Sequence, residues 1–185
     1  QKEHPIDFCL HHQQTVKRIP MQQRQPLDSH DVPRLHNNPR VRYDDYRGAV
    51  TALFGLPGMA NIYYGDEVFL AGRIEDMEGC RFPMDWDSRR TGRKQETYEL
   101  YRALSSLKRN SAALQEGGFK VVYAEGSVFA FARFTEDEAE LFLWSVSDRE
   151  ARFAIDAAEF GLPDMRWAVS IGSVAAAVQA GTELK

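Results

Sequence analysis

The sequence predicts an α/β unit followed by an antiparallel β domain, and three observations carry that reading. Between Asp44 and Glu67 a helical pattern, a Pro-Gly turn, a short apolar run and an acidic pair follow one another, the order of one α/β repeat. Glu96 to Arg109 is strongly helical and closes that region. Beyond Asn110, short apolar or alternating runs recur between turn-forming residues, the pattern of an antiparallel sheet or sandwich.

The 185 residues amount to about one domain or two small ones. A complete eight-stranded α/β barrel needs at least roughly 200 residues, so the chain is too short for one. A net charge of −4 offers no electrostatic footprint for nucleic acid. No uninterrupted apolar run is long enough to span a membrane, and no charged-then-apolar leader opens the chain. Cys9 and Cys80 lack metal-ligand spacing and read most simply as two free thiols, with a disulfide between them as the alternative.

In chain order, residues 1–26 are polar and irregular. His4, His11 and His12 match no common metal site and fit a solvated segment. Pro33 biases Val32 toward extended backbone, so His30 and Asp31 fall at a strand end or in the loop after it. Taken alone, a His-Asp pair there is more simply a helix cap or an Asx-turn than a functional pair. Asp44 and Asp45 are placed to cap the next helix, on which Tyr46, Val50, Leu53 and Phe54 recur at helical spacing. Gly55, Pro57 and Gly58 stop it. Asn61 to Tyr64 suits a short buried strand, and Gly65 turns the chain to present Asp66 and Glu67 at its C-terminal end, where α/β folds bind ligands.

Gly72 to Asp87 reads as a structured loop, with Glu75, Asp76, Glu78 and Arg81 available for polar contacts and Phe82, Pro83, Met84 and Trp86 as anchors. On the following helix Tyr98, Tyr101, Leu104 and Leu107 fall near one face, with acids early and bases late. Strands are expected at Phe119–Ala124, Val128–Phe134, Leu141–Val146 and Arg152–Asp156, with Trp167–Ile171 a further candidate. Turn signals separate them at Gly117-Gly118, Glu125-Gly126, Glu136-Asp137-Glu138 and Asp148-Arg149.

Three segments in this order carry a resemblance: Ser-His-Asp-Val-Pro-Arg (Ser29–Arg34), Leu-Pro-Gly-Met-Ala-Asn-Ile-Tyr-Tyr-Gly-Asp-Glu (Leu56–Glu67) and Gly-Cys-Arg-Phe-Pro-Met-Asp-Trp (Gly79–Trp86). Together they resemble the α-amylase family, glycoside hydrolase family 13, and within it the neopullulanase, cyclomaltodextrinase and maltogenic amylase branch. The match runs from Leu27 to about Leu114, and the β-rich segment resembles the C-terminal domain of these enzymes. The resemblance implies the C-terminal portion of a (β/α)8 barrel, strands 7–8 and their helices, followed by an antiparallel β-sandwich. The implied division is an irregular segment over 1–26, barrel over 27–113 and β domain over 114–185.

The resemblance also implies roles. Asp31 stands where the family has its third catalytic carboxylate, which stabilises the transition state, and His30 where it has a histidine that binds the same sugar. Hydrogen bonds that strengthen as the sugar distorts lower the barrier by several kcal/mol, and an ionised carboxylate accepts them strongly. Arg81, with Asp76 upstream, resembles a pair that binds glucose on the non-reducing side of the cut; Asp76 lies one residue further from the arginine than in the commoner version. Met21 to Leu27 is polar where the family has an apolar seventh strand.

A retaining glycosidase needs a nucleophile and a separate acid/base carboxylate about 5 Å apart. In this family both lie on earlier strands, and residues 1–26 lack the Gly-x-Arg-x-Asp type of motif. The expectation is therefore a C-terminal fragment of an α-glucan hydrolase, acting on α-1,4 and in some relatives α-1,6 bonds, and inactive alone. The alternative is a non-catalytic module that binds glucan or mediates association. Tyr123, Phe129, Phe131, Phe142 and Trp144 could then stack on sugars, although their alternation is more simply a sandwich core; exposure of Trp144 separates the two. The chemistry requires no cofactor, and a structural calcium ion is compatible with the family. The expected partner is an α-glucan or maltooligosaccharide, with neither nucleic acid nor membrane. A cut-open barrel leaves edges and apolar faces uncovered, so self-association or a homo-oligomer is expected. Cytoplasmic localisation follows from the branch resembled and the few cysteines.

Overall fold

In the computed structural model, which describes residues 24–72, 80–86 and 91–146, the polar segment ahead of Asp28 ends in a strand, β1 (Arg24–Pro26). It runs parallel to β2 (Met59–Asn61), with Arg24 opposite Met59, Gln25 opposite Ala60 and Pro26 opposite Asn61. Two expectations are corrected here. The end of the segment read as irregular is a strand, because ladder hydrogen bonds come from the backbone and do not require apolar side chains. The second strand lies at Met59–Asn61 rather than Asn61–Tyr64, and Met59 and Asn61 are exposed. The backbone of Tyr63 and Tyr64 is engaged elsewhere: the Tyr63 carbonyl accepts from the Asp66 N–H at 3.1 Å and the Tyr64 carbonyl from Arg34 at 2.8 Å.

Two units divide between Asn110 and Ser111. In the first, α1 (Tyr43–Gly55) buries Tyr46, Val50, Leu53 and Phe54, the stripe that the helical spacing predicts. Asp44 and Asp45 do not cap it. The N-cap is Arg42, which makes no side-chain cap bond, and both acids lie in the first turn, where they complement the helix dipole. The Asp45 carboxylate accepts twice from Arg42, each at 3.0 Å. Gly55 ends the helix, and Lys108 donates to the Phe54 and Leu56 carbonyls at 2.8 and 3.1 Å.

That lysine belongs to α2 (Arg93–Asn110), which begins earlier than expected and buries Thr97, Leu100, Tyr101 and Leu104. Tyr101 and Leu104 are core as anticipated, whereas Tyr98 and Leu107 are only half-buried. The two helices meet through the Tyr43 hydroxyl and Thr97 Oγ1 at 3.1 Å, through Phe54 edge-on to Tyr101, and through the Tyr46 and Tyr101 hydroxyls at 3.3 Å. Tyr46 gives its hydrogen to the Asp66 carbonyl at 3.2 Å, so Tyr101 donates to Tyr46.

The second unit is a three-stranded antiparallel sheet in the order β3 (Gly118–Glu125), β4 (Val128–Phe134), β5 (Ala139–Ser145). Glu125 pairs with Val128 around a two-residue turn in which Gly126 has φ +60°. The β4–β5 turn is closed by the Thr135 N–H on the Glu138 carbonyl at 2.9 Å. The ladder shifts register between Val121 and Tyr123, which leaves Val122 as a bulge. A short helix, α3 (Ala112–Glu116), is capped by Ser111, whose hydroxyl accepts from the Leu114 N–H at 3.2 Å and donates to Glu138 at 2.9 Å. Phe131 stacks on Phe142 at 4.9 Å between centroids on one face, while Ala132 on the other meets Val122, Phe134 and Leu141. Buried Arg133 donates to the Gly117 and Gly118 carbonyls at 3.0 Å each. Burial holds its guanidinium down at about 10. The strands expected at 152–156 and 167–171 lie outside the described residues.

Gly65 is the turn residue that the first unit cannot replace. Its φ is +88°, and a Cβ there would lie 2.6 Å from Leu70 Cδ2. Gly65→Ala is expected to cost about 1–3 kcal/mol, read as a lower urea midpoint at unchanged slope.

Candidate functional site

The loop from Asp28 to Leu35 is tied at its base and open at its tip. Asp28 is buried, and its Oδ1 accepts the Leu35 N–H at 2.8 Å, which closes the loop on itself. At the tip Ser29 Oγ accepts the Asp31 N–H at 3.2 Å. There His30 Nε2 lies 3.0 Å from Asp31 Oδ2, and Arg81 reaches Asp31 Oδ1 at 3.2 Å. All three side chains are more than half exposed, at 60%, 67% and 53%. One carboxylate thus stands at the surface between an imidazole and a guanidinium. Asp76, Glu75 and Glu78 lie outside the described residues, as do Cys9 and the early histidines.

Arg81 arrives on a segment held from below. Tyr63 donates to the Cys80 carbonyl at 2.7 Å and Tyr64 to the Phe82 carbonyl at 2.8 Å. Cys80 is a buried free thiol whose sulfur lies 3.1 Å from the Val32 carbonyl, and it joins the two loops directly. The sequence pattern marked Arg81 but carried no signal for these three supports.

The acidic pair after β2 behaves otherwise than expected. Asp66 is not presented to solvent; it is buried at the start of a 3-10 turn, Asp66–Val68. Arg34, fully buried, donates to Asp66 Oδ1 at 2.5 Å and to the Tyr64 carbonyl at 2.8 Å. Its guanidinium also lies 4.7 Å from the centre of the Tyr63 ring. Sequence reasoning placed Arg34 only inside a motif. The signal available was an arginine and an acid bracketing two strand ends, which fixes a contact only once the strands are paired.

Burial raises the Asp28 carboxyl above its ordinary range, against the Leu35 N–H, Asp66 and Arg34, which pull it down. Burial, and then the charge of Asp28, push Asp66 up to about 8, with Arg34 opposing. His36 is held down at about 4, chiefly by burial; its Nε2 lies 2.9 Å from the Leu70 carbonyl, and its ring stacks on Phe69 at 4.1 Å. Asp28, His36 and Asp66 bring three donor atoms within 4.8 Å of one another. The set does not fit calcium, which takes six to eight oxygens, and Arg34 already supplies the positive charge.

No family model matches the chain. A cyclomaltodextrinase from Bacillus sp is 34% identical over 125 residues, which cover 68% of this chain and 22% of the relative. Neopullulanase 2 of Thermoactinomyces vulgaris is 32% identical over 114 residues, covering 60% of this chain and 19% of the relative. The native-form debranching enzyme of Nostoc punctiforme superposes with a TM-score of 0.68 at 27% identity, covering 88% of this chain and 33% of that one. The chain is a relative of the α-amylase-family glycoside hydrolases. It spans about a fifth of the length of these two curated relatives. Among the described residues no helix is long and apolar enough to cross a membrane.

Arg34→Ala would leave buried carboxyls without their counter-charge. It is expected to destabilise the first unit by about 3–5 kcal/mol at neutral pH, measured by chemical denaturation.

Proposed function

We propose that the chain supplies the C-terminal part of a retaining α-glucan hydrolase: the last strands of a (β/α)8 barrel, then a β-sandwich. In this reading Asp31 is the transition-state-stabilising carboxylate, and His30 and Arg81 bind hydroxyls of the sugars at and beside the cleaved bond, with Asp76 as the partner of Arg81. The observation that carries it is the exposed Asp31 carboxylate between His30 and Arg81, on a loop whose base is buried and hydrogen-bonded. Such a carboxylate can accept hydrogen bonds from a pair of ring hydroxyls, and those bonds shorten as the sugar flattens toward an oxocarbenium ion. The parallel pairing of β1 with β2 supports adjacent barrel strands. The substrates follow the names of the relatives, a cyclomaltodextrinase and a neopullulanase: cyclodextrin, pullulan or maltooligosaccharide. The reaction needs no cofactor, a structural calcium ion remains part of the proposal at family level, and localisation is cytoplasmic.

The second reading, a glucan-binding or association module, needs solvent-facing aromatics on the sheet. Phe131 and Phe142 are buried against each other, and Trp144 is half-buried with its Nε1 shielded from solvent. These positions fit a core better than a stacking platform.

The nucleophile and the acid/base lie upstream in this reading, so the purified chain, checked by intact mass at 21.1 kDa, is expected to show no turnover of maltotriose or a cyclodextrin. Turnover that falls away in Asp31→Asn would overturn the fragment reading. In a chain that also carries the six upstream strands, Asp31→Asn is expected to lower kcat by roughly a hundredfold to a thousandfold, the loss of several kcal/mol at the transition state.

A further inference from the structure

Beneath the exposed loop lies a set of buried groups whose hydrogen atoms do not balance. The Leu70 carbonyl only accepts, so the proton of neutral His36 is on Nε2 and Nδ1 is a bare lone pair. That Nδ1 is buried without a donor, and so is Asp28 Oδ2. One donor atom from each of Asp28, His36 and Asp66 gathers within 4.8 Å of the other two. Against these two acceptors the neighbouring Arg34 offers one buried donor without a partner, its Nε–H, which leaves the group one hydrogen short.

We propose that Asp28 and Asp66 share a single proton, and that this carboxyl pair, clamped by Arg34 and lined by His36, positions the His30–Asp31 loop. The proton lies between the Asp66 and Asp28 carboxyls. The pair keeps one negative charge, facing Arg34 through its bond to Asp66, and the cluster is neutral overall. The link to the tip is direct: Asp28 Oδ1 closes the loop on Leu35, and Arg34, one residue earlier, ties the same end to Asp66 and Tyr64. A divalent cation in place of the proton is the weaker alternative, because it would sit beside the buried guanidinium. The inference concerns what holds the loop and is independent of what the loop binds.

The raised positions of Asp28 and Asp66 agree with this arrangement, since two adjacent carboxyls cannot both ionise cheaply in a buried site. The groups facing the pair are Arg34 from the loop, His36 from the turn after it, Tyr46 from α1 and Tyr101 from α2. Burial pushes both tyrosine hydroxyls above their ordinary range, so they stay neutral. A carboxyl raised to about 8 makes the native chain bind a proton that the unfolded chain has lost, so its stabilisation fades as pH rises toward 8. His36, held down at about 4 against a usual 6.5, acts in the opposite sense below 6.5. The window from 6.5 to 8 therefore reads the carboxyl pair alone among these groups.

The test is a pH titration of the isotope-labelled 185-residue chain, following the side-chain carboxyl carbons, the His36 ring nitrogens and the loop amides by NMR. The expected result is a carboxyl step of the Asp28–Asp66 pair near pH 8, His36 Nδ1 unprotonated throughout the neutral range, and Ser29 to Asp31 amides that shift with the same midpoint. Asp66→Asn, whose amide still donates to Asp28, should abolish the step and hold those amides at their neutral-pH positions, whereas Asp66→Ala should displace them. Both carboxyls titrating in the ordinary range would overturn the proposal. So would loop amides indifferent to the step, or stoichiometric zinc uptake that ligates His36 Nδ1. The wild-type titration decides the matter even if Asp66→Ala fails to fold.

Discussion

The first unit depends on a buried guanidinium. Arg34 leaves the loop after β1 and reaches the segment after β2, where it meets Asp66 and the Tyr64 carbonyl with no exposure to solvent. A charge taken out of water is costly unless it is paired and its hydrogens are used. The surrounding structure meets most of that demand with two carboxyls, a carbonyl and an aromatic face, and only the buried Nε is left without a partner. The same contacts join two loops that the short β1–β2 ladder alone would leave loosely connected. The Tyr46 hydroxyl on the Asp66 backbone then couples this cluster to α1 and, through Tyr101, to α2.

The exposed residues inherit their order from that base. His30, Asp31 and Arg81 stand more than half in solvent, where contacts among themselves are weak. Their geometry comes from below: Asp28 closes one loop, and Cys80, Tyr63 and Tyr64 hold the other. A polar site on rigid supports can present a carboxylate to a sugar without ordering it at the moment of binding. The second unit is separate in its physics. Its sheet carries apolar contacts on both faces, and its polar links, Glu138 on Ser111 and Ala113 and Arg133 on two glycine carbonyls, bind α3 and β3 to the hairpin.

Much of the local structure was legible in the residues. Tyr46, Val50, Leu53 and Phe54 repeat at helical spacing because one face of α1 is buried. Val128 to Phe134 reads as a strand, and it forms one with the expected bounds, because Gly126 and the Thr135–Glu138 turn leave the chain no other course. The motif around His30 and Asp31 and the Arg81 loop come together through a contact of 3.2 Å between residues far apart in the chain. Periodicity failed where the backbone rather than the side chains decides. β1 is polar yet pairs, and Ile62 to Tyr64 look like a strand yet turn away to serve Arg34 and Asp66.

The helices α1 and α2, the hairpin turns and the chemical kind of the surface loops can be read from the residues alone, because these follow from spacing, glycine and the types of side chain along a few residues; the short α3 cannot. Tertiary structure alone decided which acid is buried and which is exposed. Asp31 and Asp66 are the same residue type near strand ends, but Arg34 and the two tyrosines take one into the interior, while the loop closed by Asp28 leaves the other in water. That distinction arises from contacts between distant segments, whose free energies no local pattern encodes.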